Sequence, residues 1–458
     1  MARNRVIYQS EALYSSESVQ SRHTGVHAQL CRVQIANYNF NITRQDVNQF
    51  GQLARIDSIV LEPPTVGLDF TYYPTDGFNE RILNFAVQTG KGNLPTDAGG
   101  ALVAADGTTG VSAQVNFASG HMETSSGRNF YIVTAAEGND AVGVDSRDTR
   151  NSVIGIGNAF VSDYTLDVAV GSLPTVSVTM EGSNMIADTA VTGNATTANL
   201  FSGIQMAGVN PEDGSTLGGT IALPAPSENP GSTLSAIRPG DVTFDIGSFH
   251  HENSLVGISG DSSSIHVQSA SISLPLSRTP LQRLGSKFAF ARVVDFPIVA
   301  TMTVNGVVNE LQQANLHEII DQTETHTVSL TMKDTDGNKK MVYTLKGCRL
   351  ESQSFSSSIG SDKTVDMTFT TQVGGPQDTT NGIFLSGLLE AQSLLRELMS
   401  KRLDLRVVSQ LEPHSSVELV LPSMMMLVNK FLTIKLIAQK PRQTAGFFLC
   451  VTLFLVKL

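Results

Sequence analysis

Few short motifs in this sequence have the residue types and spacing that chemistry requires. His250-His251-Glu252 is the most metal-like. A metal needs ligands that converge in space, and neighbours on an extended strand point to opposite faces. No second cluster lies nearby in sequence, so this segment reads as a surface loop. Asp334-Thr335-Asp336-Gly337-Asn338 begins like a calcium loop, but its glycine is misplaced and no Glu stands at the twelfth position. A hairpin turn between Val328–Met332 and Met341–Leu345 accounts for it more simply. Gly257-Ile258-Ser259-Gly260 lacks the full nucleophile-elbow pattern. Asn194-Ala195-Thr196 matches a glycosylation acceptor. The start, Met1 to Arg5, is not followed by an apolar region, so no secretory signal is expected to support it. Cys31, Cys348 and Cys450 are far apart and odd in number, which allows neither a disulfide framework nor a CxxC pair within one chain. Cys31 and Cys348 read as small strand residues. There is no phosphate-binding or dinucleotide fingerprint. No catalytic residue, metal site or cofactor is expected, and the chain is not read as an enzyme.

The elements that would carry any site are strands. Residues 1–385 are rich in Ser, Thr, Val, Gly, Asn and Asp, the composition of strands and turns. Period-two alternation recurs: Val33, Ile35, Asn37, Asn39 and Asn41 against Ala36, Tyr38, Phe40 and Ile42; Val176, Val178 and Met180 against Ser177 and Thr179. Ile272, Leu274 and Leu276 repeat the pattern, as do Val365, Met367 and Phe369. Asp76-Gly77, Asn305-Gly306 and Asp336-Gly337 read as turns. Alternation with one polar face suits the wall of a sandwich or barrel.

Net charge is not uniform along the 458 residues. The whole chain is at −11, with pI near 5.3 and only 16% charged residues. Residues 386–458 carry 9 Lys+Arg and 5 Asp+Glu, so residues 1–385 hold −15. Such acidity opposes tight binding to a nucleic-acid backbone. The tail is rich in Leu, Met, Val and Phe, with Leu388, Leu389, Leu395, Leu398 and Leu405 spaced as on an amphipathic helix. Its longest uncharged run, Gln443 to Val456, has 14 residues, short of the ~18 a membrane span needs. A partner-binding extension, a membrane-associating segment and sequence appended by read-through or frame error are the three readings. The abrupt change of charge and Gly content favours the last.

An internal repeat organises the body. Val33-Gln34-Ile35-Ala36, Arg44 and Gly51 recur as Val267-Gln268-Ser269-Ala270, Arg278 and Gly285, at an offset of 234. Gly171-Ser172, Thr175-Val176 and Thr179 recur as Gly360-Ser361, Thr364-Val365 and Thr368, at an offset of 189. A helix-like run through Val87 follows Phe78-Asn79-Glu80 in one copy, and Leu311 to Asp321 supplies it in the other. The first copy holds 45 extra residues, placed mostly in Gly90 to Gly120. The expected division is a first β domain over 1–183, a turn-rich linker with a small β insertion over 184–263, a second β domain over 264–385, and a helical or apolar tail over 386–458.

Gln29-Leu30-Cys31-Arg32-Val33-Gln34, Asn37-Tyr38-Asn39-Phe40-Asn41-Ile42 and Asp46-Val47-Asn48-Gln49-Phe50-Gly51 resemble virion tail proteins of tailed bacteriophages. Thr370 to Gly375 and Asn381-Gly382-Ile383-Phe384 do so as well. The resemblance covers about residues 1–387. It implies an all-β fold of two tail-tube-like β-sandwich or half-barrel domains, each with one flanking helix, plus the C-terminal extension. It also implies homo-oligomeric rings stacked as a tail tube, a conduit for DNA ejection. Two tube domains per chain imply a trimer with pseudo-sixfold symmetry. Sheath or baseplate proteins are the implied neighbours, DNA passes through without tight binding, and no membrane is expected for the β body. The implied place is the virion tail, assembled in the host cytoplasm. The segments Arg44 to Leu61 and Arg278 to Asp295 match the hairpin that stacks rings, with Arg44, Asp46, Arg55, Asp57, Arg278, Arg283, Arg292 and Asp295 as its charged residues. Asp163, Asp167, Glu351 and Asp366 are the acids expected to face the lumen. The alternatives are another tail or baseplate protein, such as a tube initiator, and a β-sandwich binding module. Absent Trp and 6% aromatics count against the last.

Overall fold

The computed structural model describes residues 11–16, 27–89, 116–123, 127–135, 140–142, 151–194, 200–247 except 216, 218, 231 and 233, 265–309, 316–317, 325–387 except 338 and 377, and two short strands beyond. The chain is predominantly β, in large antiparallel sheets. The elements through the first half are β1 Glu11–Ser16, β2 Ala28–Gln29, β3 Val33–Asn41, β4 Arg44–Val47, β5 Asp57–Val60, β6 Thr65–Tyr72, α1 Phe78–Ile82, β7 Val87–Thr89, α2 Ser119–Glu123, β8 Arg128–Thr134, β9 Asn151–Ala169, β10 Thr175–Gly182 and β11 Asn184–Asn194. Then come β12 Leu200–Gln205, β13 Thr220–Pro224, β14 Val242–Gly247, β15 Ile265–Pro275, β16 Arg278–Leu281, β17 Ala291–Val294, β18 Val299–Val308, β19 His326–Lys333, β20 Lys339–Ser356, β21 Thr364–Gln372 and β22 Gly382–Gly387. Residues 1–391 form one compact unit. In the second unit, β23 Val417–Leu419 and β24 Ile434–Leu436 pair antiparallel.

Eight strands form a central antiparallel sheet in the order β3-β6-β10-β9-β15-β18-β21-β20. Its alternation is strict. Val66, Leu68, Phe70 and Tyr72 of β6 are buried, while the intervening residues are less so. The same holds for Val176, Val178 and Met180 of β10 and for Val365, Met367 and Phe369 of β21. A strand with one wet face shows this pattern because successive side chains point to opposite sides.

Two smaller sheets cover the apolar face. One runs β1-β8-β9-β11 and the other β14-β19-β20-β22, with β7 joined parallel to β22. The long strands β9 and β20 belong to both layers. The first part of each lies in an outer sheet and the last part in the central one. One core cluster runs between the layers, from Leu13, Phe70 and Phe130 to Met302, Tyr343, Phe369 and Leu385. A second cluster lies on the outer side of the first outer sheet. There Phe201, Ile204, Ile221 and Leu223 of the β12–β13 hairpin cover Tyr14, Tyr131, Val133 and Val153.

The sequence offsets reappear as registers. Val33 pairs with Tyr72 and Val267 with Gly306, each followed by a one-residue bulge before Ile35 or Ser269. Thr179–Asp163 then Met180–Val161 in β10/β9 matches Thr368–Ser352 then Phe369–Leu350 in β21/β20. The bulged residues are Ser162 and Glu351, 189 apart. A third matching bulge lies between Arg128 and Phe130 of β8 and between His326 and Val328 of β19. Bulges bend a strand at a fixed place, and those in β9 and β20 lie where each long strand leaves one layer for the other.

Asp336-Gly337 does turn a hairpin: the Gly337 N–H donates to Asp334 O at 3.0 Å, with φ of 82°. Asn305-Gly306 does not. It lies inside β18, paired on both sides. Asn-Gly favours a turn only when neighbouring strands do not claim it; here a Cβ on Gly306 would clash with Ile265. The strand expected within the linker is β14, at the edge of the second outer sheet. The helix expected after Glu80 through Val87 is instead the short α1, which already includes Phe78 to Glu80 and ends at Ile82, while Val87 opens strand β7. Of Leu311 to Asp321, only Leu316 and His317 are described, and they are helical. His250 to Glu252, Gly257 to Gly260, residues 90–115 and the apolar tail segments, Cys450 included, lie outside the described residues.

Candidate functional site

The junction at the middle of the central sheet defines the site. β9 and β15 pair with Ser269 opposite Ala169, Ser273 opposite Thr165 and Pro275 opposite Asp163. This seam joins two four-strand sets of the same internal order: β3-β6-β10-β9 and β15-β18-β21-β20. The sheet therefore ends on β3 at one side and on the last part of β20 at the other. Among the described residues no strand pairs with either outer edge.

Side chains at the two edges are built like those at the seam but are not covered. Leu274 is 0% exposed at the seam, and Phe40, 234 residues earlier, is 59% exposed. Leu166 is 0% exposed, and Phe355, 189 residues later, is 39% exposed. Ile35 on β3 is also exposed. An unpaired edge with apolar residues is a template for another strand.

The wet face of the central sheet carries hydroxyls, amides and carboxylates. Asn37 and Asn39, Asp69 and Thr71, Ser177 and Thr179, Asp163, Thr165 and Asp167 share it by register. Beyond the seam, Ser271 and Ser273, Thr301 and Thr303, Asp366 and Thr368, Ser352 and Ser354 continue it. Asp163 accepts a hydrogen bond from Thr165 at 3.0 Å and Asp167 one from Ser271, across the seam, at 2.7 Å. Asp366 accepts from Asn305 Nδ2 at 2.6 Å. Glu351 is exposed and sits at the bulge. Asp69, exposed on the same face, was not expected from sequence, although the alternation of Val66, Leu68, Phe70 and Tyr72 marks it. Arg349, opposite Thr370, is the basic residue at the margin of this face.

Two two-stranded arms, β4–β5 and β16–β17, leave the sheet. Arg44 is exposed. Asp46 and Arg55 pair with each other at 3.0 Å, and the Asp57 carboxylate accepts the Ser58 N–H at 2.7 Å. The charges of the second arm are engaged with the body. Arg278 donates to His121 O at 2.7 Å and to Arg292 O at 3.2 Å, and lies over the Phe160 ring. Burial and the Arg292 charge lower its pKa to about 10. Arg292 is buried and pairs with Glu181 at 2.9 Å. Arg283 pairs with Glu212, Phe288 N–H donates to Pro211 O at 3.1 Å, and Asp295 accepts from Thr279 at 2.7 Å.

A buried polar hub ties the layers together. Glu80 of α1 accepts hydrogen bonds from Tyr72 at 2.7 Å and Tyr164 at 3.2 Å, and the Tyr343 hydroxyl lies 2.6 Å from that of Tyr164. Burial raises the Glu80 pKa to about 7, against the pull of both tyrosine donors. His121 is pushed down to about 3 by burial and by Arg278 and Arg128, so it is neutral. Cys31 and Cys348 are buried free thiols, the second pushed up to about 12 by burial. Among the described residues no three His, Cys, Asp or Glu side chains gather as metal ligands, and no helix is long and apolar enough to cross a membrane.

No known family model matches the chain, and no curated protein matches it either.

Proposed function

We propose that this chain is a structural protein of a phage tail, in which copies join edge to edge into rings and the rings stack as a tube through which DNA leaves. The observation that carries the reading is the seam. Its two sides, β9 and β15, correspond by offset to the two open edges, β20 and β3. A contact that joins two halves of one chain then joins one chain to the next, head to tail. Such a heterologous contact closes into a ring when its rotation divides the circle. Pairing also removes the edges that would otherwise recruit strands without limit.

Ring size follows from strand geometry. With strands about 4.8 Å apart and tilted about 40° from the axis, a closed sheet of two chains has a backbone diameter of about 30 Å, and one of three about 50 Å. Inward side chains remove about 10 Å, which leaves about 40 Å for three chains, room for a duplex about 20 Å across with its hydration shell, and about 20 Å for two, no room beyond the bare duplex. A trimer of duplicated tube domains, with pseudo-sixfold symmetry, fits this count. Hydroxyls, amides and the carboxylates of Asp69, Asp163, Asp167 and Asp366 would then line the lumen. Such a face offers few cations to release counterions from DNA, so the cargo slides. The place of action is the virion tail, after assembly in the host cytoplasm. Sheath or baseplate proteins are the neighbours this role implies. The second reading, a tube initiator or baseplate ring, uses the same edges but stops at one ring.

The test is a cross-link in the expected register. Ser273 opposite Thr165 at the seam translates to Asn39 opposite Ser354 between chains. The double variant Asn39→Cys/Ser354→Cys, oxidised, should give covalent oligomers up to a trimer, while each single variant should not. Both described native cysteines are buried and silent. Assembled protein without this cross-link would contradict the edge-to-edge reading.

A further inference from the structure

Strand direction separates the two ends of the central sheet. β3 and β15 both run toward the arms, so both arms leave at one end. β10 pairs with β6 with Val176 opposite Tyr72 and Gly182 opposite Val66, which puts the β9–β10 turn at the other end. β21 pairs with β18 with Thr364 opposite Val307 and Gln372 opposite Val299, which puts the β20–β21 turn there too.

All four tips carry the same device. The arms contain Phe50-Gly51 and Leu284-Gly285, each glycine at φ 87°. The turns contain Val170-Gly171 and Ile359-Gly360, with φ of 86° and 88°. Phe50, Leu284 and Ile359 are fully exposed and Val170 largely so; Leu53 and Leu173 stand exposed beside them. Left-handed glycine lets the chain reverse tightly, and tight turns ordinarily present polar residues. Here each presents an apolar one.

Of the charged residues of the arms, Arg44 and Asp57 stand exposed on β4 and β5, and most of the others are already engaged. Asp46 and Arg55 bond each other, and Arg278, Arg283, Arg292 and Asp295 bond groups within the same chain. At the arm end the exposed apolar residues stand among polar ones such as Asn48, Gln49 and Gln52, and at the turn end among serines such as Ser172, Ser358 and Ser361. The two ends also match in spacing, because one internal repeat relates Phe50 to Leu284 and Val170 to Ile359. Docking one tip on the next copy therefore aligns the other.

From this we infer that stacking is a hydrophobic contact between unlike ends: Phe50, Leu53 and Leu284 of one copy pack on Val170, Leu173 and Ile359 of a second copy in the adjoining ring. The inference rests on the ring reading and adds the axial surface to it. The partner is the same chain. Because arm end and turn end differ, the contact propagates without closing and builds a filament. Several weak contacts per ring act together, so the loss of one class abolishes the stack.

Two full-length variants test it: Phe50→Asp/Leu284→Asp blocks the arm end, and Val170→Asp/Ile359→Asp blocks the turn end. All four positions are exposed, and thermal melting should stay close to wild type. Each variant alone should form single rings by negative-stain microscopy, with tube length reduced by at least about tenfold. A mixture of the two sets of rings should give pairs of rings and stop there. Like-to-like stacking predicts instead that each variant pairs unaided. That outcome, or wild-type tube length from either variant, overturns the inference while leaving rings in place. A wild type that forms no ring overturns the ring reading and this inference with it.

Discussion

Replacing Glu80 by Gln should flatten the pH dependence of stability between about pH 4.5 and about pH 7. The carboxyl is fully buried, accepts two tyrosine hydroxyls, and has its pKa raised from 4.5 to about 7, chiefly by burial. A folded-state pKa above the unfolded one means that the folded chain holds the proton more tightly. The associated stability is complete below the unfolded value, is lost as pH rises toward the folded value, and stays lost above it. A shift of about 2.5 units at about 1.36 kcal/mol each gives about 3 kcal/mol over that window. Glutamine is neutral at every pH and keeps an oxygen for Tyr72 and Tyr164. Its added N–H₂ needs a partner, at a pH-independent cost of about 1–3 kcal/mol if it finds none. The slope is therefore the readout, since absolute stability includes that cost. Urea denaturation followed by far-UV circular dichroism compares the two proteins at several pH values. All other titrating groups are common to both and cancel in the difference. Wild type should lose about 3 kcal/mol relative to the variant on going from acid to alkaline. Parallel curves would show that Glu80 holds no displaced proton and would refute the reasoning.

Other expectations follow from the seam and the sheet. Leu274→Ala removes a fully buried side chain and should cost about 2–5 kcal/mol. Phe40→Ala, at the matching edge position, should change monomer stability by no more than about 0.5 kcal/mol while weakening assembly; equal losses in denaturation would contradict the edge assignment. Gly306→Ala puts a methyl against Ile265 and should destabilise by about 1–3 kcal/mol, read as a lower thermal midpoint. Reversing Asp69 and Asp167 to Lys should give assembled material that retains duplex DNA at low salt and releases it as salt rises. DNA binding that is the same for wild type and variant would remove these residues from the lumen.

The periodic part of the structure was legible in sequence, and the exceptions have physical causes. Val176 to Met180 and Val365 to Phe369 alternate because one face is core and one is wet, and they form β10 and β21 as expected. Asn305-Gly306 misled because a dipeptide reports local preference, whereas pairing on both sides and the closeness of Ile265 decide the outcome. The Glu80 hub left no sequence signal. Its partners Tyr72, Tyr164 and Tyr343 are brought together only by packing of both layers. The charges of Arg278 and Arg292 looked available for an interface, but burial and Glu181 were not visible from spacing. Val170 and Ile359 stand next to the repeat that sequence comparison found, yet their exposure is a property of strand direction.

The central claim is that the seam within one chain is the template for the contact between chains. A reconstruction of the purified assembly by electron cryomicroscopy tests it most directly. The account predicts three copies per ring, β3 of each beside the end of β20 of the next, and Asn39 opposite Ser354. A ring of six copies, or an assembly in which β3 and β20 remain unpaired, would contradict it.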